Sequence, residues 1–138
     1  MGDRYTVGFT GDETNNIDRR VWLYSHWGGS DRYAEIARAI KAAHPRWQDP
    51  TYATRMAISY IVADNWQSEY GYGIEAGPYC LTCVEYNPIL IDWNERTVTE
   101  FGLRDQRQLG SAIDKWDFDA FVWEHLKENI ETSETVEA

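Results

Sequence analysis

Cys80 and Cys83 carry the C-x-x-C spacing of half a zinc site or of a dithiol redox pair. A structural zinc takes about four ligands. The chain has no second C-x-x-C, and His26, His44 and His125 show no H-x-x-x-H spacing. A thioredoxin-like pair opens a helix after a strand, whereas here Pro78 precedes the cysteines and no helical pattern follows. The favoured reading is two thiols in a loop, with no metal and no cofactor. Ser25-His26 has the residue types of a nucleophile and a base. Neighbours on a strand point to opposite faces, however, and there is no G-x-S-x-G elbow. If the chain is an enzyme, His26 is the candidate acid or base. Gly71-Tyr72-Gly73 lacks the third glycine and the following helix of a dinucleotide fingerprint, so it reads as a bent or close-packed strand. The 23 Asp and Glu single out no acid–base pair.

Two clusters have the composition of a binding site. In Tyr24-Ser25-His26-Trp27-Gly28-Gly29-Ser30, the amides of Gly28 and Gly29 before a helix could face an anion. His26 adds a hydrogen bond and Trp27 a stacking face. Asp31, in the first turn of that helix, opposes an anion there. The simpler alternative is a turn whose Trp27 covers the core edge. The second cluster is Arg46-Trp47 with Tyr52-x-x-Arg55. Tyr52 and Arg55 are three apart on a helix and share a face. Two arginines and two rings near one helix start suit a phosphate or carboxylate against an aromatic wall. The competing reading, favoured on composition, is that these arginines pair with the many carboxylates of an acidic chain.

The elements that must position these groups follow from periodicity and turn chemistry. Arg4–Thr10 and Arg20–Ser25 read as two strands, most simply antiparallel, with a polar loop between them. After the Gly28-Gly29 punctuation, with Ser30 as a candidate cap, Tyr33, Ile36, Ala37 and Ile40 mark an amphipathic helix that ends at His44-Pro45. Asp49-Pro50 starts a second helix, which runs to Trp66 and is apolar on most sides, so it is expected to be the central, most buried one. Gly71–Ala76 reads as a strand, and Pro88–Asp92 and Thr97–Phe101 as a hairpin. Gly102–Lys115 reads as a polar connection, and Trp116–Ile130, with Asp117 as cap, as a third helix. The last eight residues are expected to be a frayed, acidic tail. The order β-β-α-α-β-β-β-α predicts a single α+β domain over residues 1–130, with about five mostly antiparallel strands and three helices on one face.

The whole chain is 138 residues, 43% apolar and 14% aromatic with seven Trp, which is enough to build one core without staples. Its net charge of −10 argues against duplex nucleic acid as a partner. The segment from Lys127 onward, with one Lys and four Glu, supplies −3 of this. No apolar run approaches the ~18 residues of a membrane span, and no signal peptide is read at the start. A cytoplasmic protein that does not enter membranes is expected.

The string Val21-Trp22-Leu23-Tyr24-Ser25-His26-Trp27-Gly28-Gly29 resembles the signature of a family of small, mostly uncharacterised tailed-phage and prophage proteins. In that family a helix follows, then Arg-Trp-x-Asp-x-x-Tyr-x-x-Arg, then a Gly-Tyr-Gly-Ile strand. Here Arg46–Arg55 and Gly71–Ile74 match those stretches, and the likeness runs from about Val21 to Val98. The Gly77–Asn87 excursion is longer than the family's link, and the third helix and tail lie outside the likeness. The resemblance implies a phage origin and residence in the host cytoplasm, and adds weight to the His26 and Arg55 clusters. It brings no activity with it.

Three functional expectations follow. The first is a binding protein that sequesters a nucleotide-derived signal, with Trp27, Trp47, Tyr52 or Tyr72 stacking a base and Arg46 and Arg55 holding phosphate. Gly28, Gly29 and His26 would complete the pocket, and surplus Trp and Tyr would form a homodimer or higher oligomer. The second is an acidic protein that inhibits a host protein. The third is a nucleotide phosphodiesterase or hydrolase using His26.

Overall fold

Tyr5, Val7 and Phe9 alternate with Thr6, Gly8 and Thr10, and this period of two builds β1 (Tyr5–Thr10) at the centre of the sheet. The computed structural model describes residues 3–11, 14, 16–78, 85–105 and 108–130. Cys80, Cys83 and the tail 131–138 lie outside these, and with them the expectations about thiols and fraying. β2 (Val21–Ser25) pairs antiparallel with one side of β1, in the register Val7↔Leu23. β3 (Tyr72–Ala76) pairs antiparallel with β2. On its other side β1 takes β4 (Ile89–Asp92) in parallel, Val7 opposite Ile89. β5 (Thr97–Asp105) and β6 (Gln108–Asp117) extend the sheet antiparallel. The strand order is β3-β2-β1-β4-β5-β6.

Helices α1 (Arg32–Ala42), α2 (Pro50–Val62) and α3 (Phe118–Leu126) pack on one face. Their buried residues join Tyr5, Val7, Phe9, Leu23, Ile89, Ile91 and Val98 in the main core. The opposite face carries a smaller cluster, Trp22 and Leu90 with Phe101 and Leu109 beside them. Among the described residues no helix is long and apolar enough to cross a membrane.

The α+β expectation holds, and the sheet differs from it in three ways. There are six strands because β6 occupies the stretch read as a polar connection. As an edge strand with its outer row of groups facing solvent, β6 needs no apolar alternation to form. The sheet is mixed because β1 and β4, far apart in sequence, lie side by side in parallel. Finally, α1 rather than α2 is the central helix. It packs between α2 and α3 and buries Ile36, Ala37, Ala39 and Ile40, while Thr51, Tyr52, Arg55, Ser59 and Tyr60 of α2 face solvent.

Several helix ends also shift. α2 stops at Val62, where Ala63 takes φ 51° and a 3-10 turn carries the chain from Ala63 to Gln67. Asp49 occupies the N-cap position of α2 with Pro50 in its first turn, where the sequence predicts the start, but its side chain makes no capping hydrogen bond among the described residues. Asp117 caps α3 by accepting the Ala120 amide at 2.8 Å, and α3 is shorter than expected at both ends. The cap of α1 is Asp31, not Ser30.

On the helix-free face the Trp22 ring lies flat on Gly8, where an added Cβ would come within 2.6 Å of it. Gly73, also on a strand, would meet nothing within 4 Å. Gly8→Ala is therefore expected to destabilise the fold by about 1–3 kcal/mol through overpacking. Gly73→Ala should be neutral or stabilise by up to about 1 kcal/mol. Denaturant melts of the two variants side by side check this.

Candidate functional site

Beyond the last residue of β2 the chain does what strand alternation requires. Ser25 is buried and its hydroxyl donates to the Trp27 carbonyl at 2.7 Å, while His26 turns to the surface. The His26 Nδ1 lies 3.0 Å from the Tyr24 hydroxyl, and its ring meets Trp27 edge-on at 5.5 Å. Trp27 in turn contacts Tyr72 at 5.8 Å and lies over Gly71, which adopts φ 98° and accepts the His26 amide at 2.8 Å. A Cβ at Gly71 would come within 2.1 Å of the Trp27 ring, so both its backbone angle and its neighbour require glycine. His26, Trp27 and Tyr72 thus form one continuous aromatic patch.

The Gly28-Gly29-Ser30 turn does cradle an anion, and that anion is the chain's own Asp3. The Asp3 carboxylate accepts the Gly28 amide at 3.2 Å and the Ser30 amide at 2.8 Å, and its carbonyl takes the Gly29 amide. The Ser30 amide, first among several donors, holds the Asp3 carboxyl below its ordinary value. A Cβ on Gly29 would come within 2.4 Å of the Tyr86 ring, so the position has no room for a side chain. Gly28 and Gly29, expected to face a ligand, face Asp3 in this structure. Their amides are filled from within.

The second cluster is divided by function. Trp47 is half-buried, donates its indole N–H to the Ile40 carbonyl at 2.9 Å, and packs edge-on to Phe118. It is part of the core wall. Arg46 stacks on the Tyr52 ring at 4.3 Å and lies 3.8 Å from Asp49, so it has the local carboxylate that an acidic chain offers. Arg55 differs. It is exposed, its one described partner is the Ser59 hydroxyl at 3.3 Å, and no carboxylate pairs with it among the described residues.

The two clusters do not meet. The His26 patch sits at the Tyr5↔Ser25 end of β1. Trp47 sits at the other end, where Pro50 packs on Gly11 beyond Thr10, some ~17–20 Å away for a strand of this length. α2 spans the gap, and a cavity of about 520 Å³ opens at its C-terminal end, between α2, the Ala63–Gln67 turn and β3. Leu23, Ile58 and Val62 form its apolar floor, and Trp66, Tyr72 and Ile74 its walls. Ser59 lines it as well, and its hydroxyl accepts from Arg55 one helical turn away. The cavity exists because Ala63 breaks the helix before it can cover β3, leaving Ile74 63% and Trp66 72% exposed. Of the residues expected from sequence, Tyr72 lines this cavity, Arg55 bonds to its lining residue Ser59, and Trp27 contacts Tyr72. Trp66, Ile58, Val62 and Ile74 were not singled out. The visible signal was the apolar and aromatic run continuing past the helix through Trp66, Tyr70, Tyr72 and Ile74.

A further group that no sequence motif marks is buried under the sheet's other half. Arg32 and Glu100 are each 7% exposed and pair at 3.2 Å. Tyr33 donates its hydroxyl to the other Glu100 oxygen, and Asn87 donates to the same oxygen as Arg32 at 3.2 Å. The guanidinium lies between the Tyr33 and Tyr86 rings at 4.6 and 4.7 Å. Burial, then the bond to Glu100, pushes the Tyr33 phenol up to about 12. His125 stacks on Tyr33 at 4.8 Å, and burial lowers its pKa despite Glu124 nearby. Among the described residues no three His, Cys, Asp or Glu side chains converge as a metal site would require. Comparison with family models, curated proteins and solved structures gives no match.

Two predictions follow. Arg32→Met leaves Glu100 buried without its partner and should cost about 3–5 kcal/mol in a denaturant melt. Burial lowers the His125 pKa in the fold, so the unfolded chain, titrating near its ordinary value of 6.5, takes up the proton first as pH falls. Its contribution to stability is therefore complete above that value and is lost as pH falls below it. The melting temperature should drop between about pH 7 and pH 5, and His125→Phe should flatten that part of the profile.

Proposed function

We propose that this is a binding protein that sequesters a small nucleotide-derived molecule in the cavity between α2 and β3. The observation that carries the reading is an apolar floor and two aromatic walls in one cavity, with Arg55, which has no carboxylate partner among the described residues, bonded to its lining residue Ser59. At about 520 Å³ the cavity falls within the range of small-ligand sites. A base would lie between Trp66 and Tyr72, where stacking contributes about 1–3 kcal/mol per base. Arg55 would reach a phosphate at the rim, through charge-assisted bonds of about 1.5–3 kcal/mol. Arg46, Trp47 and Tyr52 then belong to the scaffold, as do Gly28 and Gly29, and His26 braces Trp27 behind the pocket. On the resemblance to the phage family, such a protein would work in the host cytoplasm, where capture of a host signal without turnover would serve an anti-defence role.

A thermal-shift screen against cyclic and linear nucleotides, dinucleotides and ADP-ribose derivatives tests this. A ligand at 100 times its dissociation constant should add about 2.7 kcal/mol of stability. Arg55→Ala should weaken binding about tenfold or more, Trp66→Ala should do likewise, and the ligand should be recovered chemically intact. No shift with any of these compounds at millimolar concentration would sink the proposal, and recovery of a cleaved product would replace it with an enzyme.

A further inference from the structure

We infer that β3 is the pairing edge of a two-fold dimer of this chain, with its axis at Ile74, so that the six-stranded sheet continues into a second copy. β3 ends the sheet, and only β2 pairs with it among the described residues. Two hydrogen bonds fix which of its main-chain groups face inward. Gly71 accepts the His26 amide at 2.8 Å, and the Gly77 amide donates to Arg20 at 2.9 Å. Odd-numbered residues therefore turn their N–H and C=O toward β2, and alternation sends those of Tyr72, Ile74 and Ala76 outward. Among the described residues these outward groups have no hydrogen-bond partner.

Native sheets blunt such an edge with lysine, proline, bulges or charge. The far edge does this, since β6 carries Asp114 and Lys115 and its pairing with β5 slips register at several points. β3, reading Tyr-Gly-Ile-Glu-Ala, has no Lys or Pro, and it pairs with β2 without a slip. Its single charge, Glu75, also selects the register. With Ile74 opposite its counterpart, Glu75 faces Gly73 of the second copy, and Tyr72 faces Ala76. An axis at Glu75 would instead set carboxylate against carboxylate, which is destabilising. The Ile74 axis also makes each outward-facing residue part of a pair that exchanges both hydrogen bonds. It buries Ile74, now 63% exposed, against itself, with Trp66 and Tyr70, 72% and 74% exposed, at the margins. A self-complementary edge of this kind suits a second copy better than an unrelated strand. The dimer does not depend on what the cavity holds.

Sedimentation equilibrium at micromolar concentration, without ligand, should give twice the chain mass. Ile74→Lys should give the chain mass with an unchanged circular dichroism spectrum. A second readout covers the case in which that variant misfolds. In a Cys80→Ser/Cys83→Ser background, Ile74→Cys should oxidise readily to a disulfide dimer, because directly paired Cα atoms lie about 5.5 Å apart. Glu75→Cys should not, because its own counterpart lies diagonally roughly 8 Å away, beyond disulfide reach. A monomeric wild-type chain, a dimer that survives Ile74→Lys, or the opposite cross-linking pattern overturns the inference.

Discussion

The Arg32–Glu100 pair joins the first turn of α1 to the interior of the sheet, and the rest of that half of the molecule is arranged around it. Glu100 comes from β5 and Asn87 from the segment before β4, while Tyr33 and Tyr86 bracket the guanidinium from two sides. Tyr86 also donates to Asp3, which holds the turn from Gly28 to Ser30. The N-terminus, the β2–α1 turn, the approach to β4 and the middle of β5 therefore share one polar knot. Burying two charges is unfavourable unless geometry and additional hydrogen bonds offset the lost hydration. Glu100 meets that condition with three donors. Arg32 meets it less completely, since its Nε has no hydrogen-bond partner among the described residues. The value of such a knot lies in specifying one arrangement of segments more than in raw stability.

At the other end of the helical layer the design is reversed. There, covering stops early. Ala63 takes a backbone angle that a helix cannot continue through, and the chain leaves before reaching β3. What would have been core becomes an open, aromatic-walled hollow beside a strand paired on one edge among the described residues. One half of the sheet is closed by a buried ion pair and a ring cluster on α3, and the other is left unfinished by the chain itself. The proposed ligand and the second copy both draw on that unfinished half.

Local signals in the sequence were enough to read the strands and helices whose patterns are strong, and both Asp-led helix starts. Contacts distant in sequence were not readable. The amides of Gly28 and Gly29 had the chemistry of an anion cradle, but nothing near them in the chain indicated that Asp3 fills it. Arg32 and Glu100 stand 68 residues apart and carry no motif. β6 was missed because an edge strand shows little alternation, and α2 was ranked above α1 because its composition is more apolar than its exposed face is. In the candidate site, Arg55 came from its spacing to Tyr52, and Tyr72 from its aromatic ring. Trp66 did not, because its importance depends on where the helix breaks.

The parallel pairing of β1 with β4 also sets an order of events in time. β1 can fold back onto β2 as soon as both exist, but its second edge waits for Ile89–Asp92, some eighty positions later. Closing so long a loop is slow relative to forming the hairpin. On a ribosome, a central strand of the sheet therefore stands half-paired while the helices and β3 are being made. The contacts of Arg4 with Glu85 and of Asp3 with Tyr86, 81 and 83 residues apart, lie at the mouth of that same closure. The N-terminal residues thus act as a late clasp, engaged only when nearly two thirds of the chain has been synthesised.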